Sequence, residues 1–316
     1  MENKRILFIT FDMSGYYTSM YEELKRRYEH VDYYNTAKIS YKYKSIFQKG
    51  YAFFYKMAKG QKLKNLYKYQ SVIDAVKDKE YDITLIIRPD LFFDSQLEVL
   101  KKNSGSFIAF YHDSINNIKR KKDVIRFFDK VYSYEKKDVK DYDLTFISNF
   151  IYDTQAADFK DIEYDAFSVM SNDYRLPALK KIAEFLKSKG YTFNFYIMDD
   201  KFINDNLITF MTKRMSNDEV IRNIKKAKII VDIHKYGIQD GLTFRTFESL
   251  GFRKKLITTN QDIKAYDFYD PENIFVIEDV HKIDIPEAFF STPYKEIPEV
   301  IYRKYTVAAW LEEVMA

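Results

Sequence analysis

Cysteine is absent from the 316-residue chain. That excludes disulfides, thiolate metal sites, iron–sulfur clusters and a cysteine nucleophile, and it fits a reducing compartment such as the cytoplasm. Glycine (8) and proline (6) are scarce, which disfavours a loop-rich all-β or collagen-like chain. No apolar run approaches the ~18 residues of a spanning helix. The first run, residues 6–10, is too short for a signal peptide and is followed by Asp12. A large excess of one charge is also lacking. Lys plus Arg total 51 against 47 Asp plus Glu, a net charge of +4, which argues against a dedicated nucleic-acid binder. Histidine occurs only four times, at positions 30, 112, 234 and 281. No repeat or low-complexity tract is evident. What the chain does have is 46% apolar and 31% charged residues, enough for a real core, and an unusual 18% aromatic content carried by 28 Tyr and 27 Phe.

Short apolar runs alternate with longer helical stretches, the pattern of an α/β protein with parallel strands. Strands are expected at 6–10, 83–87, 107–111, 130–133 and 145–148, with helices over 17–28 and 45–76. Near residue 165 the pattern restarts. Strands are expected at 166–170, 192–197, 229–233, 256–259 and 274–276, and helices at 176–189 (closed by Gly190), 217–226 (with Ser216 as N-cap), 243–250 and 306–315. The expected architecture is two Rossmann-like doubly wound domains, residues 1–155 and 156–316, facing each other across a cleft. Ligands of such sheets bind at the carboxyl ends of the strands.

The stretch 240–260 reads as loop, helix and strand. Gly241 permits a tight turn and close approach of a ligand. The amides that open the helix around Thr243 suit a phosphate, and Arg245 in the first turn adds a charge-assisted contact. Glu248 is eight residues past Asp240, about two helical turns on, so the two carboxylates can flank one ligand. Gly251 is expected to close the helix. Each residue also has a structural reading: Glu248 as a helix-surface carboxylate, Arg245 as one end of a surface ion pair, Asp240 as a cap. His112 and His234 both follow strands, and either could touch a phosphate or act as a base.

This stretch resembles the donor-binding signature of GT-B glycosyltransferases, Glu-x7-Glu followed by a small-residue helix end and a Gly-Lys-Pro-Val-Ile-type strand. Here Asp240-x7-Glu248 is followed by Leu250-Gly251 and the strand that begins at Lys255. A second resemblance is to spore-maturation-protein-like glycosyltransferases and the related group 1 families. Its residues are Phe110-Tyr-His-Asp113-Ser114, Phe128-Asp-Lys-Val-Tyr-Ser133 and the restart loop ending at Arg175. The resemblance implies that Glu248 holds the ribose of a nucleotide-sugar. Arg245 and the amides near Thr243 and Gly241 would hold its diphosphate, aided by Arg175 and His234, with Asp240 near the sugar. It implies no bound metal and no cofactor besides the donor substrate. An inverting reaction would need a base in the acceptor-side domain, either Asp113 or His112. Replacing Glu248 by alanine is expected to abolish donor binding and leave the fold intact.

Residues 37–71 hold nine lysines and no acidic residue, interleaved with nine Tyr and Phe. Long Lys stems and amphipathic rings suit an interface with anionic lipid. Lys56, Lys59, Lys62 and Lys64 are the expected surface for a membrane or a lipid-linked acceptor at the inner face of the cell membrane. The same composition would serve another polyanion, or a solvated helical face with its aromatics in the core. The lysines of 119–122 read as an ordinary surface run. The expected activity is glycosyl transfer to a surface polysaccharide or lipid-linked glycan, with no nucleic-acid partner. Pyruvyl transfer on the same architecture and a non-catalytic polyanion-binding module remain alternatives.

Overall fold

The structure is a computed structural model and describes residues 2–153 and 161–316. The chain forms two compact units, Met1–Ile147 with Met315–Ala316, and Ser148–Val314. The division expected at 155/156 falls at 147/148. Residues 148–151 are tied into the second unit: the Ile151 amide donates to Tyr305 O (2.7 Å), and Trp310 Nε1 donates to Ser148 O (3.0 Å).

The first unit runs β1 (Glu2–Thr10), α1 (Thr18–Arg27), β2 (Tyr28–Asn35), α2 (Ile46–Lys59), α3 (Leu63–Val76), β3 (Tyr81–Ile87), α4 (Asp94–Lys102), β4 (Ser104–Tyr111), α5 (Arg120–Val124), β5 (Lys130–Ser133), α6 (Lys136–Tyr142) and β6 (Thr145–Phe146). Its sheet has the order β2-β1-β3-β4-β5-β6, with every pairing parallel. Leu7, Ile9, Ile86, Phe107 and Tyr111 pack against Tyr69, Val72 and Val76 of α3 and Leu97 and Leu100 of α4. Burial on both faces explains why β1 and β3 read as unbroken apolar runs. β2 was not expected from the sequence. Its residues, YEHVDYYN, lack apolar alternation because it is an edge strand, held by parallel pairing with β1 from Arg5↔His30 to Thr10↔Asn35.

The second unit runs β7 (Tyr164–Ser171), α7 (Leu176–Ser188), β8 (Phe193–Met198), β9 (Thr209–Met211), α8 (Asn217–Lys226), β10 (Ala227–Asp232), α9 (Phe244–Gly251), β11 (Lys255–Thr258), β12 (Ile274–Val276), α10 (Glu287–Ser291), α11 (Glu299–Lys304) and α12 (Val307–Val314). Its parallel sheet has the order β12-β11-β10-β7-β8-β9. Counted within the unit this is 6-5-4-1-2-3, the dinucleotide-binding Rossmann order. One face packs Phe167, Ile230 and Leu256 against Ile224, Phe247 and Leu250. The other packs Ala166, Ile229 and Ile257 against Leu179, Ile182 and Leu186. The three-residue edge strand β9 was also missed from sequence, being too short to show a period.

Several local expectations are met. Ser216 caps α8 in a reciprocal capping box with Glu219, and Gly190 follows α7 at φ 79°. α9 closes differently. Gly251 is its last residue, and the left-handed position is taken by Arg253 at φ 53°. Gly251 is small for another reason: a Cβ there would lie 2.3 Å from Asp153 O and 2.7 Å from Ile151 Cγ2. The glycine lets residues 151–153 run against α9, which brings Tyr152 to Glu248.

Strand order reverses between β7 and β10 in the second unit and between β1 and β3 in the first. Crevices at the carboxyl ends of such strand pairs are the natural ligand positions of doubly wound sheets.

Candidate functional site

At the β7/β10 switch point of the second unit, Arg175 opens α7 and reaches across to the end of β10, where its Nη1 donates to Ile233 O (2.9 Å). Its Nε and Nη2 form a fork on Asp173 (2.9 and 2.8 Å), whose carboxyl pKa is held down. There burial pushes upward, and the Arg175 hydrogen bonds and charge outweigh it. β10 ends at Asp232, a buried carboxylate that the sequence reading passed over as part of an apolar strand. Burial pushes Asp232 up, against the Thr243 hydrogen bond and the charges of Arg175 and Arg245. Thr243 is the N-cap of α9. Its Oγ1 donates to Asp232 Oδ2 (3.0 Å) and accepts from the Arg245 amide (3.2 Å). Gly241 is buried, and its carbonyl accepts from Asn260 Nδ2 (3.3 Å).

His234 follows β10, and its amide donates to Thr259 Oγ1 (2.8 Å). Its Nδ1 is buried and has no hydrogen-bond partner among the described residues. Burial pushes its pKa down, and the carboxylates of Asp232, Asp262 and Asp240 oppose that shift. Asp240 is therefore part of the field at His234. It lies in the loop before α9, not on a helix: α9 begins only at Phe244, so the expected two-turn spacing between Asp240 and Glu248 is not helical.

Glu248 is neither a surface carboxylate nor an open one. It is fully buried, with Tyr152 Oη donating to Oε1 (2.7 Å) and Arg245 Nη1 donating to Oε2. Burial pushes its pKa up, with Arg245 and Tyr152 opposing. Arg245 keeps a partly exposed side chain and closes the carboxylate off from solvent. Tyr152 was not singled out from the sequence; nothing in its own neighbourhood signals it, and only the close approach at Gly251 places it there. This geometry argues against the expectation that Glu248→Ala leaves the fold intact, because that change removes the partner of Arg245 and the acceptor of the Tyr152 hydroxyl.

In the first unit, charged side chains gather at the ends of β1, β3 and β4. Asp12, after β1, accepts the amides of Ser14, Gly15 and Tyr17 (3.0, 2.6 and 2.9 Å), which fixes the loop leading to α1. Arg88, after β3, sits in the left-handed region at φ 70° and grips Asp90 through Nε and Nη2 (2.8 and 2.9 Å). Its Nη1 lies 3.9 Å from Asp113 Oδ2. His112 and Asp113 follow β4, with His112 Nε2 3.2 Å from Asp113 Oδ2. His112 Nδ1 is buried without a partner among the described residues, and its ring lies 5.9 Å from that of Tyr17. Burial pushes the Asp113 carboxyl up, but His112, Lys121 and Arg88 together hold it well below the usual carboxylate range.

Lys121 corrects the reading of 119–122 as a surface run. It has no exposure, its Nζ donates to Asp113 O, and it lies 4.8 Å from the centre of the Tyr111 ring. Burial pushes its pKa down to about 8, against the pull of Asp113 and Asp90. Four basic residues in a row give no sign of which one α5 turns inward. The sign of the pH effect follows from linkage. Between the folded pKa and the ordinary lysine value the unfolded chain binds more protons, so stability rises with pH through that window. Urea unfolding at pH 7 and pH 9.5 should show a rise of about 2 kcal/mol in the wild type relative to Lys121→Met. Equal slopes in the two proteins would mean that Lys121 is not a buried titrating group.

Lys56, Lys59, Lys62 and Lys64 are all exposed, on α2, in the α2–α3 connection and at the start of α3. Among the described residues no helix is long and apolar enough to cross a membrane, and no group of three or more His, Asp or Glu side chains is placed to hold a metal ion.

No family model matches the sequence, and no curated protein matches it significantly. Solved structures do resemble it. A UDP-forming α,α-trehalose-phosphate synthase from Burkholderia xenovorans, in complex with glucose-6-phosphate, superposes with a TM-score of 0.60 at 10% identity, over 98% of this chain and 99% of that one. Anabaena HepE in complex with UDP and glucose gives 0.58 at 11% identity, over 99% of both chains. Methanocaldococcus jannaschii UDP-GlcNAc 2-epimerase, bound to UDP-GlcNAc and UDP, gives 0.52 at 11% identity, again over 99% of both. At these identities the likeness concerns the fold: the chain has the two-domain Rossmann-like architecture shared by these nucleotide-sugar enzymes.

Proposed function

We propose that the protein is a nucleotide-sugar-dependent glycosyltransferase acting in the cytoplasm, with the donor held by the second unit. The observation that carries this reading is the convergence, at the β7/β10 switch point, of Arg175, His234, Asp232 and Thr243 with the amide-bearing start of α9. Amides and cations there suit a diphosphate, whose negative charge grows as the sugar departs. Arg245 turns from Glu248 to the diphosphate, which frees Glu248 Oε2 for the ribose hydroxyls. Asp240 lies on the sugar side. The fold of a trehalose-phosphate synthase and of HepE, the latter solved with UDP and glucose, supports a uridine nucleotide as the first to test.

The first unit supplies the acceptor side. His112 is the better base of the expected pair, because Asp113 is held ionised and is too weak a base to take a hydroxyl proton. Asp113 orients the imidazole through Nε2, and Nδ1, buried as it stands, is the nitrogen that acceptor binding must uncover for it to receive the proton. A surface polysaccharide or lipid-linked glycan is the acceptor that we assign.

A panel of nucleotide-sugars incubated with the protein tests the reading. Release of nucleoside diphosphate with free or transferred sugar is the expected result, in a metal-free buffer. Recovery of an epimerised nucleotide-sugar with no diphosphate released, the outcome that the epimerase likeness allows, would overturn it.

A further inference from the structure

α2 is amphipathic with its apolar side facing out. At 100° per residue, Gln48, Ala52 and Tyr55 share one face. That face is the inner one: Ala52 is buried, Gln48 Nε2 donates to Tyr41 Oη (2.9 Å), and the Tyr55 ring packs at 6.3 Å from Phe93. The opposite face carries Ile46, Phe47, Phe53, Phe54 and Met57, each between 60% and 90% exposed. A solvent-facing helix ordinarily puts polar residues there. The helix ends are satisfied within the unit, by Ser45 accepting from the Gln48 amide (3.1 Å) and by Gly60 in the left-handed conformation. The outward apolar face is therefore not a consequence of a frayed helix.

Charge identifies the occupant. Lys49 and Lys56 border the apolar face along one side, and exposed Lys42, Lys44, Lys59 and Lys62 extend the positive ground around it, with no acidic residue anywhere in 37–71. A protein partner with a hydrophobic pocket would not require lysines around the apolar face with no acidic residue among them. A bilayer bearing anionic headgroups requires both features, apolar side chains at the acyl boundary and lysines at headgroup level. Fourteen residues are too few to span a bilayer, so the helix lies in its plane.

We propose that α2 is an interfacial helix that docks the protein on an anionic lipid surface. This inference rests on the first unit alone and stands or falls separately from the donor reading. Wild-type protein should cosediment with vesicles of phosphatidylcholine plus phosphatidylglycerol, weakly with phosphatidylcholine alone, and less as salt is raised. The triple variant F47S/F53S/F54S should lose binding by roughly tenfold or more while its circular dichroism and thermal unfolding stay unchanged, because these rings are exposed. The variant K49E/K56E/K59E should lose affinity for the anionic vesicles by roughly tenfold or more. Unchanged cosedimentation of either variant overturns the proposal. So does a salt-insensitive association that ignores headgroup charge. Sedimentation velocity adds a third arm: a wild-type dimer that the aromatic variant converts to monomer, with no vesicle binding by either, would assign the face to a second copy of this chain.

Discussion

Replacing His112 by alanine is expected to lower turnover by about 10²–10⁴-fold, the range for loss of a positioned general base, while nucleotide affinity measured by calorimetry stays unchanged. The geometry argues for His112 over Asp113. Asp113 has Arg88 Nη1 at 3.9 Å, His112 Nε2 at 3.2 Å and the buried Lys121 beside it. With that much positive charge around it the carboxylate stays ionised and gains little by accepting a proton. His112 has one nitrogen committed to Asp113 and a second, buried, with no partner among the described residues, which acceptor binding must uncover. Asp113→Asn keeps the shape and removes the charge that orients the ring. It should lower kcat less than His112→Ala and leave the donor KM alone, the signature of a positioning residue. The reverse ranking, with Asp113→Asn abolishing turnover and His112→Ala nearly silent, would exchange the two roles.

The second large effect concerns Glu248, where two substitutions separate binding from folding. Glu248→Gln keeps the volume and the Tyr152 hydrogen bond but loses the charge. It should weaken nucleotide binding by about 10–100-fold, the worth of a charge-assisted hydrogen bond of about 1.5–3 kcal/mol. Glu248→Ala should also destabilise the second unit by about 3–5 kcal/mol, because Arg245 loses a buried partner and Tyr152 an acceptor. Calorimetry with UDP reads the first effect and urea unfolding the second. If Glu248→Gln binds nucleotide as wild type does, Glu248 is a structural anchor for Arg245 and not a ribose ligand. Wild-type stability of the alanine variant would contradict the burial itself.

Much of the architecture is legible in the chain because parallel strands covered on both faces must be apolar throughout. β1, β3, β4, β7 and β10 all announce themselves this way. The edge strands β2 and β9 do not: β9 is three residues long with one buried side chain, Phe210, and β2 packs through Tyr33 on Phe8 and Tyr21 rather than through an aliphatic run. The loop and helix of 240–251 are legible too, through Gly241 before the helix, Arg245 in its first turn and Gly251 at its end. Their relation to Asp232 is not, because a buried carboxylate at a strand end looks like any other polar residue beside an apolar run.

By itself the sequence determined which residues share a strand or a helix face, where lysine outweighs acid, and that no cysteine chemistry is available. Only the tertiary structure decided which faces are covered. It turned Lys121 inward from a run of four basic residues, closed Glu248 behind Arg245 and Tyr152, and left the phenylalanines of α2 in water. The physical reason is that periodicity specifies a direction around an element, whereas burial depends on what the rest of the chain places on that side.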